Sequence, residues 1–479
     1  MVRSAQGHFE KSFYQKFKLY LDYRECKKPS LYVSDNSDLS ILDYLRFKTM
    51  ESLIPIRVSD SQLLEMINDG DSENKEVEVS QNNPAGSESD LEPASDNKIV
   101  KGINAILSQA IKSLASDIHF EPGEKSLRVR NRLDGVLHDV KQLNLSEHPE
   151  ILSRIKIMSE LDIAEKRRPQ DGRIRFGIDD RLVDIRVSII PTDFGEKAVL
   201  RILDKEQLKL DLNSLGFADD QLKSFRKNIT STSGIILVTG PTGSGKTTTL
   251  YAALNHLKSS SINISTVEDP IEYNLDGINQ TQVKPEINLT FAAMLRALLR
   301  QDPNIIMVGE IRDRETLEIA IRAAQTGHLV LSTVHTNSAV STVTRLLDLG
   351  SEPFLLASSL KMIVAQRLVR RICGNCSTGE VTKEENSAAV QLGLGDTSNL
   401  NNGSGCEECN NSGYKSRTAI YEILNIDDDL REIIHSRGSE KDILDCARLK
   451  GYRTMKERAV DLISERITTA TEIIRELGA

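Results

Sequence analysis

Apolar positions change their spacing several times along the chain, and each spacing predicts a different kind of element. Between Ile99 and Leu114 they recur every three to four residues, which is typical of an amphipathic helix. The stretch SLRVRNRLDGVLHDV then alternates apolar and polar residues, and Asp134-Gly135 within it predicts a hairpin turn. RIRFGI, RLVDIRVSII and AVLRIL repeat the strand pattern. We therefore predict an α+β unit over residues 99–205.

Four apolar runs in the second half of the chain end beside polar residues suited to phosphate chemistry. ILVTG leads into a glycine-rich loop, NISTVE ends at Glu268, NIIMVG precedes Glu310, and LVLSTV precedes His335. Helix-compatible segments alternate with these runs, which favours a mostly parallel sheet covered by helices. Ligands of such sheets bind at the carboxyl ends of the strands. The four run ends are therefore expected to share one crevice.

The N-terminal part of the chain differs in composition from the rest. Residues 68–98 are rich in Asn, Ser and acidic residues, bury too little surface to offset chain entropy, and are predicted to be a flexible linker. Residues 1–67 hold enough apolar and aromatic residues for a small partner-binding region. Segment 68–97 carries nine acidic residues and one lysine, so it supplies −8 of the net charge of −9 and leaves −1 elsewhere. That balance gives no support to broad nucleic-acid binding, which favours a basic surface.

No apolar run approaches the roughly 18 residues that a membrane-spanning helix needs. The N-terminus also lacks an apolar stretch that could act as a secretory signal. We therefore expect a cytoplasmic protein whose association with a membrane depends on a partner or a surface.

The sequence GPTGSGKT fills every fixed position of the phosphate-binding pattern G-x4-G-K-S/T, between an apolar run and a helix-compatible run. Its glycines can turn backbone N–H groups inward, Lys246 is expected to reach the outer phosphates, and Thr247 is expected to offer its hydroxyl to Mg2+. The chain is thus predicted to be a nucleoside triphosphatase that uses Mg2+. The predicted nucleotide-binding residues of this segment are Gly240, Pro241, Thr242, Gly243, Ser244, Gly245, Lys246, Thr247 and Thr248.

Glu310 is our first candidate for polarising the attacking water or holding the metal's waters. Nucleoside triphosphatases usually carry a magnesium-binding Asp at the end of this strand, and here Gly309 occupies that place. Glu268 and Asp269 are candidates for sharing metal or water duties from the neighbouring strand. Their alternative role is to cap a helix or form the turn before Pro270.

Two further pairs are candidates for phosphate sensing or contact between subunits. His328 precedes the run LVLSTV and His335 follows it, and hydrogen-bonded structural histidines are the alternative. Arg296 and Arg300 lie four residues apart and should share a helix face, where a solvated basic stripe is the alternative.

The cysteines give a second specific signal. Cys373 and Cys376 form one C-x2-C pair, and Cys406 and Cys409 form another. Two such pairs predict a tetrahedral Zn2+ site, and four thiolates would leave no open position, so the metal would be structural. Two disulfides are the alternative. Cys26 and Cys446 are expected to be ordinary reduced thiols.

These motifs, taken in order, resemble the type II secretion and type IV pilus assembly ATPase family. After the phosphate loop come TVEDPIE, LLRQDPNIIMVGEIRD and TGHLVLSTVHTN, which are similar to the family's acidic box, its atypical second nucleotide motif and its histidine box. ASDIHFEP, RPQDGRIRF and VDIRVSIIPTDFGEK resemble the family's regulatory domain, and CGNC with CEECNNSGYKSRTAIYE its zinc-binding insertion. The resemblance extends from about Ile99 to the C-terminus.

The resemblance implies an α/β protein with a RecA-like ATPase core over 206–371, preceded by the α+β unit as a PAS-like regulatory domain. It also implies a tetracysteine subdomain over 372–414 and a helical C-terminal subdomain over 415–479. Arginines of the regulatory domain approach the nucleotide in this family, and the matching positions are Arg173, Arg186 and Arg201. Lys197 stands where an arginine is common, so no guanidinium role is assigned to it.

The family implies a homohexamer at the cytoplasmic face of the inner membrane that powers pseudopilus assembly for type II secretion. Residues 1–67 would contact an inner-membrane platform protein, and no direct nucleic acid is expected. The alternatives are a type IV pilus extension ATPase, a RecA-like nucleic-acid motor with a zinc ribbon, and a scaffold that binds nucleotide without hydrolysis.

Overall fold

The computed structural model describes residues 14, 17–22, 30–34, 36–37, 45, 53, 55–69, 94–179, 181–204, 210–395 and 400–478. The chain divides into two compact units, Met1–Asp204 and Lys205–Ala479. No helix in the described part of the chain is long and apolar enough to cross a membrane. The elements of the first unit are β1 (Leu19–Asp22), β2 (Ser30–Val33), β3 (Pro55–Arg57), α1 (Asp60–Asp69), α2 (Ala94–Lys112), β4 (Asp117–Pro122), β5 (Ser126–Leu133), β6 (Val136–Asn144), α3 (His148–Met158), β7 (Gln170–Ile178), β8 (Arg181–Thr192) and β9 (Gly195–Leu203).

A six-stranded antiparallel sheet with the order β6-β5-β4-β9-β8-β7 forms most of the first unit. Helices α2 and α3 bury their apolar residues, such as Leu107 and Ile155, with Ile118 and Phe120 of β4 in one core. The strand alternation leaves the other face of the sheet to polar and charged residues. Asp134 and Gly135 form the predicted turn between β5 and β6, both with positive φ. The predicted helix, hairpin and strands of this unit are confirmed.

The described part of residues 1–67 contains a small sheet, β1-β2-β3, and helix α1. Leu19, Leu31 and Leu63 are buried together there. Helix α1 continues to Asp69 and α2 begins at Ala94, so both ends of the predicted linker are helical; residues 70–93 lie outside the described residues.

A seven-stranded sheet with the order β12-β11-β13-β14-β10-β15-β18 forms the centre of the second unit. All its neighbouring strands are parallel except β15 and β18, which are antiparallel. The predicted mostly parallel sheet is thus confirmed. The elements of this unit are α4 (Asp219–Ile229), β10 (Gly234–Thr239), α5 (Lys246–Leu257), β11 (Ile264–Glu268), β12 (Asn279–Gln282), α6 (Phe291–Leu298), β13 (Ile305–Val308), α7 (Arg314–Gln325), β14 (Leu329–Val334), α8 (Ala339–Asp348), α9 (Pro353–Ser359), β15 (Leu360–Ile372), β16 (Ser377–Thr378), α10 (Lys383–Gln391), β17 (Asn402–Gly403), β18 (Tyr414–Asn425), α11 (Asp428–His435), α12 (Glu440–Leu449), α13 (Met455–Ser464) and α14 (Ala470–Leu477).

Helices cover both faces of this sheet, and the central strand β10 shows why its sequence is apolar throughout. Ile235 and Leu237 lie in one core, which includes residues of α6 to α9 and of the C-terminal helices. Ile236 and Val238 lie in the opposite core, which includes residues of α4 and α5. A strand buried on both faces needs apolar side chains at odd and even positions alike.

The predicted helical C-terminal subdomain needs a correction. Its first residues form β18, which pairs with β15 from Met362 opposite Asn425 to Ile372 opposite Tyr414. The segment therefore begins as an edge strand of the central sheet, and its helices start only at Asp428. The charged residues at the start of β18 lie at its exposed end, whereas Ala419, Ile420 and Tyr421 are buried.

Candidate functional site

The phosphate loop lies between β10 and α5, at the carboxyl edge of the sheet. Lys246 is the first residue of α5, and its Nζ donates to the carbonyl oxygens of Gly240 (2.9 Å) and Pro241 (3.0 Å). Burial lowers the pKa of Lys246, and the negative charge of Glu310 opposes that shift. The loop therefore surrounds the ammonium group of Lys246, which is the group expected to bind a phosphate. Thr247 is the next residue of α5 and is exposed, while residues 240–245 form the loop that precedes the helix.

Gly240 must be glycine for two reasons. Its φ is +148°, and a Cβ atom would lie 2.4 Å from the carbonyl oxygen of Gln366 and 2.6 Å from Oγ of Ser244. Gly243 also has a positive φ, of +82°, but a Cβ there would meet nothing within 4 Å. A side chain would be strained at both positions, but only at Gly240 would its Cβ also collide with neighbouring backbone.

We predict that Gly240→Ala weakens ADP and ATP binding by at least about tenfold, because the loop must move away from β15 to make room. Gly243→Ala should cost only backbone strain, about 1–2 kcal/mol, with a smaller loss of affinity. Isothermal titration with each nucleotide measures the difference. Equal losses in the two variants would show that the contact with Gln366 does not matter.

Glu310 lies two residues beyond the end of β13 and is largely buried, with 12% of its side chain exposed. One carboxylate oxygen pairs with the guanidinium of Arg312, and the other lies 3.5 Å from Nε2 of His335. The hydrogen bond from Arg312 to Glu310 raises the pKa of the arginine. The structure thus brings Glu310, His335 and Lys246 to one edge of the sheet, as the sequence predicts from the ends of the strands.

Short backbone and side-chain bonds fix the strand end that carries Glu310. The N–H of Gly309 donates to the carbonyl of Val267 (2.7 Å), and Thr333 Oγ1 donates to the carbonyl of Gly309 (2.7 Å). A Cβ on Gly309 would lie 3.3 Å from the Val267 carbonyl oxygen and 3.4 Å from Cα of Glu268. Close packing against β11 therefore favours glycine where an aspartate is usual, and the acidic group moves to the next residue.

Glu268 ends β11 and is 3% exposed. Its carboxylate accepts hydrogen bonds from the hydroxyls of Tyr251 and Thr266 (2.5 Å from Thr266) and from Nε2 of Gln280 (3.0 Å). All three donors are neutral, so the carboxylate is held in place without a cation. Burial and the carboxylate of Glu268 together raise the pKa of Tyr251 far above its usual range. Asp269, next in the chain, is exposed.

His328 is not brought to this edge. It precedes β14, so it lies at the amino edge of the sheet, where its carbonyl accepts from the N–H of Gly234. Its Nδ1 lies 2.9 Å from the carbonyl oxygen of Ala323 and 3.1 Å from Oγ1 of Thr326, at the end of α7. The structure therefore places His328 away from the phosphate loop, hydrogen-bonded as in the structural alternative, and phosphate sensing by His328 stays a prediction. A contact of His328 with another subunit stays a prediction.

Arg296 and Arg300 are both exposed, but only Arg296 lies within α6. Arg296 pairs with Glu315 at 2.5 Å, and Arg300, just past the end of the helix, donates to the Arg296 carbonyl at 2.9 Å. Their proposed contact with nucleotide or another subunit stays a prediction.

The four cysteines form a compact cluster. Sγ atoms of Cys373 and Cys406 lie 3.9 Å apart, those of Cys376 and Cys409 3.8 Å, and those of Cys406 and Cys409 3.7 Å. A tetrahedral Zn2+ with Zn–S bonds of about 2.3 Å requires Sγ separations of about 3.8 Å. A disulfide requires about 2.05 Å. The donor set and spacing therefore fit a metal, and Cys373, Cys376, Cys406 and Cys409 are free thiols. Cys446 is also free, and Cys26 lies outside the described residues.

In the first unit, three predicted arginines lie side by side on adjacent strands. Arg173 of β7 is opposite Arg186 of β8, and Arg186 is opposite Arg201 of β9. Arg201 is in turn opposite Asp117 of β4, with Nε to Oδ1 at 3.1 Å. Lys197 pairs with Glu121 at 2.9 Å. We call Arg173, Arg186 and Arg201 the arginine ladder.

A cavity of about 190 Å3 lies elsewhere in the second unit, between α4 and the end of β18. It does not include the phosphate loop. Two of its cations, Lys450 and Arg458, pair with Asp427 and Asp220 of the same lining. The third cation, Arg453, pairs with Asp461 outside the lining. Each cation of the lining therefore has a carboxylate partner among the described residues.

Four residues that no sequence motif singled out lie in or beside the nucleotide site. Arg312 and Tyr251 hold the two candidate glutamates, while Gln366 and Arg367 follow the part of β15 that pairs with β10. A polar pair inside the apolar run LKMIVAQRLV was the signal that could have revealed the last two.

The strand, phosphate loop and helix, with Glu310 past the end of β13 in the same sheet, define a P-loop nucleoside triphosphatase with a RecA-like α/β core. Residues 92–475 match the family described as "Type II/IV secretion system protein". The chain belongs to this family and is an ATPase.

Three curated relatives show how far the similarity extends. The chain is 50% identical to type II secretion system protein E of Dickeya dadantii over 387 residues, which cover 80% of this chain and 77% of that protein. It is 44% identical to type II secretion system ATPase E of Vibrio cholerae, with 97% and 95% covered. It is 43% identical to type IV pilus assembly ATPase PilB of Myxococcus xanthus, with 93% and 82% covered.

Among solved structures, the pilus retraction motor PilT with bound ADP aligns with a TM-score of 0.53 and 27% identity, covering 78% of this chain and 96% of that one. This alignment supports the predicted fold class.

Proposed function

We propose that this chain is the ATP-hydrolysing motor of a type II protein secretion system, working as a homohexamer at the cytoplasmic face of the inner membrane. The observation that carries the proposal is the joint position of Lys246 and Glu310 at the carboxyl edge of the sheet. There a cation for phosphate and a largely buried carboxylate for water act on each other electrostatically. The hydrolysis would power the assembly of a pseudopilus.

In the proposed reaction, Lys246 leaves its two loop carbonyls and binds the outer phosphates of ATP. Glu310 takes a proton from the attacking water as the water oxygen bonds to the terminal phosphorus, and the bond from that phosphorus to the bridging oxygen breaks, which releases ADP. The hydroxyl of Thr247 and the carboxylate of Asp269 would hold Mg2+, and Glu310 would contact the water molecules of the ion; bound Mg2+ would neutralise charge on the phosphates. The carboxylate of Glu268 already accepts three hydrogen bonds, so it would have to lose one of them before it could contact water or the metal. We therefore assign Glu268 a role secondary to that of Glu310.

His335 is the proposed sensor of the terminal phosphate. It follows β14 and lies 3.5 Å from Glu310, so loss of a nearby phosphate would change its contacts directly. The strand β14 is hydrogen-bonded to β10 and β13, which precede the phosphate loop and Glu310.

The arginine ladder is proposed to supply positive charge to the nucleotide phosphates, from the same or a neighbouring subunit. Like charges directly opposite each other on adjacent strands destabilise a sheet. Three of them in register are therefore expected to serve an anionic ligand rather than the sheet itself. Guanidinium groups stabilise the charge that develops during phosphoryl transfer.

We expect Arg186→Gln to lower the turnover number for ATP hydrolysis of the assembled protein by about 10²-fold, because it removes one donor to the transition state. Arg175→Gln is a matched control on β7, since the register partner of Arg175 is Asp184 rather than an arginine. Steady-state phosphate release measures both variants. Equal turnover numbers for the two variants would remove the ladder from the proposed mechanism.

Two machines are compatible with the same motor, because the relatives include both type II secretion proteins and a type IV pilus assembly ATPase. We favour type II secretion because the Vibrio cholerae relative matches 97% of the chain, including the N-terminal region that is proposed to contact the platform. The cytoplasmic domains of inner-membrane secretion and pilus proteins provide the test. Full-length chain should be retained by a secretion platform protein, and retention by a pilus protein alone would move the motor to pilus extension.

A nucleic-acid motor is the competitor from another class. DNA that stimulates ATP hydrolysis at moderate salt would favour it over a secretion motor.

A further inference from the structure

Arg367 lies in β15, inside the second unit, and is 9% exposed. Its Nη2 donates to Oδ1 of Asn337 at 3.1 Å, and its Nη1 donates to the carbonyl oxygen of Gln366 at 3.3 Å. Both acceptors are neutral. A guanidinium group has five N–H donors, so three remain available.

The charge of Arg367 is not matched by a contacting carboxylate. Among the described residues it forms no ion pair; Glu476 and Glu422 act on it only from beyond ion-pair distance. Arg370 on the same strand does have a contacting carboxylate, since its Nη2 lies 2.6 Å from Oε2 of Glu472. Burial lowers the pKa of Arg367, and the charge of Arg367 contributes to lowering the pKa of Lys246. Two cations therefore share a partly dehydrated site, an arrangement that an anion would stabilise.

The position of Arg367 in the sheet identifies that anion. In the parallel pairing of β10 with β15, Thr239 lies opposite Ala365, so the next residues, Gly240 and Gln366, meet where the phosphate loop begins. Gln366 Nε2 donates to the carbonyl of Ser244 at 2.7 Å. Gln366 is thus a brace for the loop, and Arg367 follows it directly.

The hydrogen bond from Arg367 to Asn337 connects it to the loop after β14, which is the second loop of the site. Asn337 lies two residues beyond His335, which contacts Glu310. Thr239, at the end of β10, also joins the two loops, because its Oγ1 accepts from the N–H of Thr336 at 2.9 Å. Arg367 is therefore held by the loop after β14 and by the residue that braces the phosphate loop.

We propose that Arg367 binds a phosphate group of the nucleotide, as a cation supplied by the same subunit's own core. The inference rests on the proposed nucleotide site and adds a ligand to it. In this structure the guanidinium is hydrogen-bonded to Asn337 and to the Gln366 carbonyl. When ATP or ADP binds, the remaining donors meet phosphate oxygens, a geometry for which guanidinium is well suited.

A structural arginine and a phosphate ligand give opposite results in one experiment. The melting temperature of full-length Arg367→Gln is measured without nucleotide, and the dissociation constants of ADP and ATP are measured by isothermal titration. We expect a melting temperature equal to or above that of the wild type, because an unmatched buried cation is gone. We expect nucleotide affinity to fall at least about tenfold.

Arg371→Gln is the matched control, because Arg371 is an exposed arginine on the same strand. It should leave affinity unchanged, while Arg367→Lys should recover part of the affinity and show that charge matters. The inference is overturned if Arg367→Gln binds nucleotide as the wild type does, or if its melting temperature falls while affinity is kept. A wild type that binds neither nucleotide would overturn the proposed function itself and this inference with it.

Discussion

Glu310→Gln should reduce the turnover number for ATP hydrolysis by about 10²–10⁴-fold, the range associated with loss of a general base. The amide keeps the size of the side chain but cannot take a proton from water. Lys246 and the phosphate loop are untouched, so the dissociation constant for ATP should stay within about threefold of the wild-type value. Single-turnover phosphate release and equilibrium titration separate the two quantities.

Glu318→Gln is a suitable control for this experiment. Glu318 lies on α7 and pairs with Arg314 four residues earlier, at 2.7 Å on the surface, so its loss should change little. Unchanged turnover in Glu310→Gln would move the catalytic assignment to another carboxylate. Loss of ATP binding in the same variant would show that Glu310 acts on nucleotide affinity instead.

The second large effect is expected at the cysteine cluster. Cys406→Ser should lower the zinc content from about one ion per chain to nearly none, because a structural site needs all four thiolates. Structural zinc contributes about 10–16 kcal/mol of apparent binding free energy in small domains, so its loss should destabilise the segment 372–414 strongly. Hydrogen exchange should show this segment opening, whereas the phosphate loop should keep its protection and its nucleotide affinity.

Cys446→Ser is the control for a cysteine outside the cluster. Metal analysis of the purified proteins decides the question. Equal zinc content in Cys406→Ser and the wild type would refute the site. A loss of nucleotide affinity as large as the loss of zinc would contradict the local, structural role that four thiolates imply.

The contacts of the segment that holds the four cysteines explain why loss of zinc should affect only the C-terminal part of the chain. Glu385 on α10 is fully buried and accepts hydrogen bonds from the N–H of Thr471 (2.9 Å) and from the N–H of Ala470 at the start of α14. On β15, Arg370 lies 4.0 Å above the ring of Tyr414 and pairs with Glu472. The insertion is therefore tied to α14 rather than to the phosphate loop.

Much of the fold was predictable because its signals are local. The turn at Asp134-Gly135 depends on backbone conformations that these two residues favour, and the apolar run from Ile235 to Val238 indicates a strand buried on both faces. The strand β18 was missed because half of its residues are polar or charged, so its pattern depends on a partner strand far away in the sequence. Pairing with β15, not local propensity, makes it a strand.

The site was predictable where a motif has a fixed spacing, as in the phosphate loop and the two C-x2-C pairs. Glu310 and His335 could be brought together from strand order alone, because strand ends of a parallel sheet meet at one edge. The same rule separates His328 from His335, because His328 precedes β14 and so lies at the opposite edge of the sheet. Gln366 and Arg367 depend on the neighbour relation of β10 and β15, which the sequence does not state.

The most direct test of the account is phosphate release from Mg-ATP by the purified full-length chain, measured across protein concentrations at which it assembles, beside Lys246→Ala. We predict magnesium-dependent hydrolysis that rises with assembly in the wild type and is lost in the variant. Equal phosphate release by the two proteins, or none from the wild type in any state of assembly, would contradict the claim that this sheet edge is an ATP-hydrolysing site.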